Sequence, residues 1–141
     1  SDLSRQEWLV DPCFEVVASL PERWHDDFAA RVREGRTHFT PCLGLSEMLA
    51  TVEWIADEEL TALPAGEHRV VTVARDHEAT RLDAGAVLRE ATRVLSIALP
   101  RSVTAERRFS HAVYYAAPEG DGLPVRSAEA WMGSTGPLVF L

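Results

Sequence analysis

The apolar positions of this chain fall into short runs whose spacing changes from two residues to four and back again. Between Gln6 and Leu20, Trp8, Val10, Phe14, Val16 and Val17 follow a period near two, broken at Asp11-Pro12. This predicts a strand with a bulge, or two short strands, and Pro12 argues for an edge or an interruption. Pro21 then opens a helix in which Trp24, Phe28 and Val32 recur every four residues. Glu22, Asp26 and Asp27 lie early and Arg31 and Arg33 late, as the helix dipole favours, and Gly35 is placed to cap the end. From Met48 to Ile55 the period returns to two, with Met48, Ala50, Val52 and Trp54 on one face and Leu49, Thr51, Glu53 and Ile55 on the other, which predicts a strand.

An acidic cluster and a Pro-Ala-Gly turn between Asp57 and Gly66 separate two regions. Residues 1–62 then read as strand, helix, strand, half of a ferredoxin-like unit, and residues 63–141 as a small β-rich lobe. The fold class expected is α+β. Within the lobe, Glu67 to Ala74 predicts a strand through Val70, Val71 and Val73. Arg81 to Val94 fits either a helix interrupted at Gly85 or a loop leading to a shorter strand. Arg101 to Phe109 reads as a polar, basic segment before a strand over Ser110 to Ala116, and Glu119 to Pro124 as a tight turn. Val125 to Trp131, a Gly-Ser-Thr-Gly-Pro turn and the apolar Leu138 to Leu141 close the chain. It contains no repeat and no low-complexity tract.

A chain of 141 residues, 46% hydrophobic, suffices for one globular core or for two small lobes sharing one. No apolar run approaches bilayer length, and Ser1 to Asp11 lacks the basic-then-apolar layout of a signal peptide, so a soluble cytoplasmic protein is expected. Cys13 and Cys42 belong to no Cys-x-x-Cys pair and are too few for a four-cysteine metal site, so both are expected to be buried thiols rather than a disulfide. No metal or cofactor is implied.

The net charge of -8 is unevenly spread: 13 acids face 5 arginines through Pro64, and 9 face 9 from Ala65 onward. Such a balance opposes nucleic-acid binding, which rests largely on displacing counterions from phosphate. Every basic side chain apart from histidine is arginine, however, and arginine forks onto phosphate and stacks on bases, so a few copies can serve on an acidic surface. A coding bias or adaptation to salt explains the same usage.

The stretch Arg36 to Ala50 is the most distinctive. Arg36, Thr37, His38 and Thr40 supply polar and basic groups ahead of a Pro-Cys-Leu-Gly bend, where Pro41 fixes a dihedral and Gly44 permits close backbone approach. Thr40 to Ala50, Thr-Pro-Cys-Leu-Gly-Leu-Ser-Glu-Met-Leu-Ala, is similar to the Pro-Tyr-Leu-Gly-Leu-Ser-Glu segment of the fifth Cas protein family, RAMP subunits of type I CRISPR surveillance complexes. Arg5 to Pro12, the helix ending at Gly35, Arg107 to Phe109 ahead of a Val-Tyr-Tyr strand, and the Val-Phe-Leu end resemble type I-B members. The resemblance extends over nearly the whole chain and maps to the later part of such proteins. Their opening strand, helix and strand, with a protruding hairpin, have no counterpart in it, so a fragment lacking the N-terminal half-domain is expected. Cys42 stands where an aromatic is common, so stacking is not implied at that position.

The resemblance implies a non-catalytic subunit of Cascade that holds the 5′ handle of the CRISPR RNA. It would cap the filament of backbone subunits beside the large subunit and meet target DNA through the complex. Arg5, Arg36, His38, Thr40 and Gly44, with Arg107 and Arg108, are the candidate RNA-binding residues, since single strands are gripped by phosphate contacts, loop amides and stacking. Arg101 and His111 flank the second group, and Gln6 accompanies Arg5. Plainer roles stand beside these: Arg36 neutralising the helix end, His38 as a surface histidine, Glu47 accepting loop hydrogen bonds, and Leu43, Leu45 and Met48 in the core. Tyr114 and Tyr115 point to opposite faces of a strand, so at most one can stack on a base. Two other function classes remain open. One is a metal-independent endoribonuclease, which would lack a lysine to stabilise the developing phosphorane. The other is a protein-protein adaptor.

Overall fold

The computed structural model describes residues 13–42 and 49–141. Its contacts form two units, Ser1–Ala56 and Asp57–Leu141. Arg5, Gln6 and Pro12, together with the segment 43–48 that holds Gly44, Glu47 and three expected core residues, lie outside the described residues.

The first unit is organised by α1 (Glu22–Arg33). Pro21 precedes it, and its carbonyl accepts from the amides of Trp24 and His25 at 2.8 and 3.2 Å. Asp27 and Arg31, one turn apart, pair at 2.7 Å. The end is closed by the pair of backbone hydrogen bonds that a left-handed residue makes possible. Gly35, at φ 64°, donates to Val32 O, and the Arg36 amide reaches back to Arg31 O at 2.8 Å. The apolar stripe behaves differently from its pattern. Its Trp24 and Phe28 remain exposed and Val32 is half-buried, while the buried residue of the helix is Ala29. Phe28 meets the edge of Trp54 at 6.1 Å, and the Arg33 guanidinium lies 4.8 Å over the same ring.

Two strand expectations are not met over the residues described in this unit, which leave out 6–12 of the first and Met48 of the second. Residues 13–20 and 50–56 contain no strand, and the alternation around Met48 to Ile55 yields only an isolated bridge between Cys42 and Leu49. Alternation marks a segment able to present two faces, but a strand also needs a neighbour to accept its amides and carbonyls. Trp54 packs on α1 instead. The cysteine reading is corrected in one respect: Cys13 and Cys42 are free thiols as expected, but both are exposed rather than buried.

The second unit holds nine short strands and one helix: β1 (Thr61–Ala62), β2 (Gly66–Val70), β3 (Ala74–Arg75), β4 (Thr80–Leu82), α2 (Ala84–Glu90), β5 (Leu95–Val103), β6 (Phe109–Ala116), β7 (Leu123–Ser127), β8 (Trp131–Gly133) and β9 (Gly136–Leu138). They pair antiparallel as three three-stranded sheets, ordered β1-β8-β9, β2-β7-β4 and β3-β6-β5. The chain is therefore α+β. Since β1 pairs with β8, the acidic stretch from Asp57 belongs to this second unit. Val70, Ala74, Leu123, Val125, Ala130 and Val139 form its core. Central β7 is buried at every position except Arg126, as expected of a strand covered on both faces.

Around Arg81 to Val94 the chain resolves into β4 and then α2. Asp83 makes the switch: its carboxylate accepts the Ala86 amide at 2.9 Å, capping the helix, so Gly85 falls in the first turn and interrupts nothing. The expected polar segment Arg101 to Phe109 is corrected too. Its first three residues end the nine-residue strand β5, and only 104–108 form the connection to β6. Pro100 masked this strand in the sequence, but a proline is tolerated at a sheet edge, which is where β5 lies.

Asp83 also binds Arg126 Nε at 3.0 Å. The Ala86 amide first, and Arg126 after it, hold its carboxyl below the ordinary 3.8 against the opposing effect of burial. Glu58 is likewise held below its ordinary 4.5, chiefly by the Ser134 amide at 2.8 Å in the β8–β9 turn. Both folded-state values lie beneath the unfolded ones, so the contribution is whole above about pH 4.5 and is lost as the pH falls through the depressed values. The urea midpoint of the full chain should therefore drop on acidification through this range, and Asp83→Asn should flatten the drop. An acid profile identical in the variant would contradict the assignment to Asp83.

Candidate nucleic-acid interface

The candidates fall into one group in each unit, taken in turn. Immediately after α1, Arg36, His38 and Thr40 are all exposed. Arg36 is engaged: its Nε lies 2.5 Å from Glu34 Oε2, so its charge is locally matched. His38 meets Phe39 edge-on with centroids 4.4 Å apart, and Phe39 is 80% exposed. This aromatic was missed as a candidate. An apolar ring inside a polar loop was the signal that could have found it, since a solvated ring is a platform on which a base can stack. Arg5 and Gly44 lie outside the described residues.

In the second unit, β5 and β6 form a long hairpin. Their register pairs Leu95 with Ala116 through Pro100 with His111, slips by one residue between Pro100 and Ser102, and ends at Val103 opposite Phe109. The turn is closed by Thr104 and Arg108, whose backbones pair at 3.0 Å. Arg107 adopts the left-handed conformation at φ 60°. Arg107 and Arg108 thus sit at the tip, both exposed, with exposed Arg101 just before the turn on β5.

The tip arginines differ from five others in how they are satisfied. Arg31, Arg36, Arg69, Arg93 and Arg126 each pair with a carboxylate, at Asp27, Glu34, Glu90, Glu119, and Glu67 with Asp83 respectively. Among the described residues, Arg101, Arg107 and Arg108 have no such partner. The neighbouring Glu106, itself exposed, is held by the Thr104 hydroxyl and its own amide, which keep its carboxyl below the ordinary range. Between Arg93 and His111 there are four arginines and one acid, a net positive segment in a chain of charge -8.

The two tyrosines divide as their parity requires. Tyr115 pairs with buried Ala74 and packs against the core, so Tyr114, paired with Arg75 and Ile97, stands on the outer face of the sheet. The Nε of Arg75 is buried there without a hydrogen-bond partner among the described residues.

A second cluster has the side chains of a hydrolytic site. Thr80 Oγ1 donates to Glu129 Oε1 at 3.3 Å, and the Glu129 amide donates to Ser127 Oγ at 3.1 Å, which leaves Ser127 to donate to Thr80 at 2.8 Å. His77 Nε2 lies 2.7 Å from the same Glu129 oxygen. A nucleophilic triad needs the imidazole between hydroxyl and carboxylate. Here the carboxylate occupies the middle, and Thr80 is 1% exposed. The ring of bonds ties β4 to the turn after β7. Thr80→Val should cost about 1–3 kcal/mol in urea denaturation by stranding the Ser127 hydroxyl; an unchanged midpoint would show that the cycle contributes nothing.

Among the described residues, no three His, Cys, Asp or Glu side chains are placed to hold a metal ion, and no helix is long and apolar enough to cross a membrane. An open cleft of about 410 Å³ lies between Gly66 and Ala128, and it contains none of the candidate residues. No protein-family model, curated protein or solved structure matches the chain.

Proposed function

We propose that this chain is a non-catalytic RNA-binding subunit of a type I CRISPR surveillance complex, of the fifth Cas family. In this reading it acts in the cytoplasm, holds the 5′ handle of the CRISPR RNA beside the backbone and large subunits, and reaches target DNA through them. The first unit is then half of a ferredoxin-like domain. The observation that carries the RNA-binding part is the hairpin tip, where Arg107 and Arg108 stand exposed with no carboxylate partner among the described residues.

An arginine already held by an acid must give up that contact to bind phosphate, whereas an unpaired one exchanges only water and counterions. On an acidic chain this distinction decides which arginines can serve. It favours the β5–β6 tip over Arg36, and leaves His38, Phe39 and Thr40 as stacking and hydrogen-bonding groups in the first unit. The lack of any lysine weighs against the alternative of a metal-independent endoribonuclease, which would need a cation to stabilise the developing phosphorane. The test is RNA binding by the Arg107→Glu/Arg108→Glu variant.

A further inference from the structure

Strand β5 is the outermost strand of the sheet β3-β6-β5, and all nine of its residues are exposed. On the face turned away from the core, Leu95, Ile97 and Leu99 stand at alternate positions, 49, 56 and 42% exposed, beside Ala116, Tyr114 and Ala112. Natural sheet edges are blunted by proline, bulges or charge. Pro100 and the register slip after it supply two of these devices, but only beyond Leu99. Among the described residues, Leu95 to Leu99 is left as an open pairing edge roughly 17 Å long.

The ends of this edge are basic. Arg101 follows it without an ion pair among the described residues, and Arg93 precedes it, holding only the exposed Glu119 at 3.3 Å. Aliphatic side chains offer a base no π-face and a phosphate no donor, which weighs against RNA here. The same charges disfavour a second copy. Antiparallel pairing of β5 with itself about Ile97 would oppose Arg93 of one copy to Arg101 of the other, and like charges directly opposite are destabilising.

We propose that the Leu95–Leu99 edge accepts an extended segment of a partner protein as a fourth strand, apolar at alternate positions and acidic at both ends. Main-chain hydrogen bonds supply affinity in such an addition, the row of Leu95, Ile97 and Leu99 sets which face of the segment is apolar, and the arginines select its ends. The site is separate from the hairpin tip and does not depend on the RNA reading.

The probe is the blocked peptide Asp-Thr-Val-Thr-Val-Thr-Val-Thr-Asp, compared with the same peptide ending in lysines, added to the full chain. The acid-ended peptide should slow amide exchange within Leu95–Leu99 and bind about tenfold more tightly than the lysine-ended one. Ile97→Glu, at an exposed position, should abolish binding, and Arg101→Glu should remove the preference for acidic ends without touching the apolar row. Arg107→Glu/Arg108→Glu should leave peptide binding intact, so failure here is distinguishable from failure of RNA binding. Exchange unaltered by either peptide, or equal affinity for both, would overturn the proposal. So would protection of the same amides by oligouridylate, or by raising the protein concentration alone.

Discussion

Replacing Gly122 with alanine should lower the stability of the full chain by roughly 2–4 kcal/mol, more than any other single methyl addition considered for this molecule. Gly122 has φ +98°, a conformation that L side chains rarely adopt, and a Cβ built on it would lie 2.8 Å from the Val70 carbonyl oxygen. The obstruction is backbone, and it belongs to β2 where that strand pairs with β7, Val70 opposite Leu123. Relief would require parting the two strands that carry the core. Neighbouring Gly120 is the control: at φ +90° it has nothing within 4 Å of its virtual Cβ, so Gly120→Ala reports backbone strain alone. The Gly122 variant should melt at least several degrees below the Gly120 variant, given a few degrees per kcal/mol for a domain of this size. Equal melting temperatures would show that the close approach to Val70 costs nothing.

What could be read from the sequence divides along the range of the interactions involved. The helix over Glu22 to Arg33 and its closure at Gly35 depend on residues a few positions apart, and so did the Gly-Ser-Thr-Gly turn between β8 and β9. The alternation at Met48 to Ile55 was equally local, but a strand is a property of two segments, and among the described residues none forms a ladder with 51–56. Strand β5 was overlooked for the converse reason: Pro100 spoils its pattern, and β6 supplies its ladder. The candidate site follows the same division. Arg36, Arg107 and Arg108 look alike in the sequence, yet the first is neutralised by Glu34 and the other two are not. For Arg69 and Arg126 the matching acids lie 21 and up to 59 residues away, so no reading of local charge could have separated paired from unpaired arginines.

The second large effect concerns those unpaired side chains. Arg107→Glu/Arg108→Glu should reduce the affinity of the full chain for single-stranded RNA by at least tenfold at moderate salt, because it removes two phosphate contacts and adds two repulsions. Both residues are exposed on a turn, so the variant should melt like the parent. Arg36→Ala/His38→Ala should weaken binding less, since Arg36 spends its charge on Glu34 and His38 contributes through its contact with Phe39. The reverse ranking would move the interface to the loop after α1 and leave the hairpin tip as solvated surface.

The most direct test is the salt dependence of binding to a labelled single-stranded RNA, measured by fluorescence anisotropy on the full chain and on the Arg107→Glu/Arg108→Glu variant. Each phosphate contact contributes about 0.7 to the slope of log affinity against log salt for single strands. Loss of the two tip contacts should therefore flatten the slope by about 1.4, together with the fall in affinity. A parent chain with no measurable affinity for RNA at low salt, or a variant with the parent's affinity and slope, would contradict an RNA-binding role for the hairpin tip.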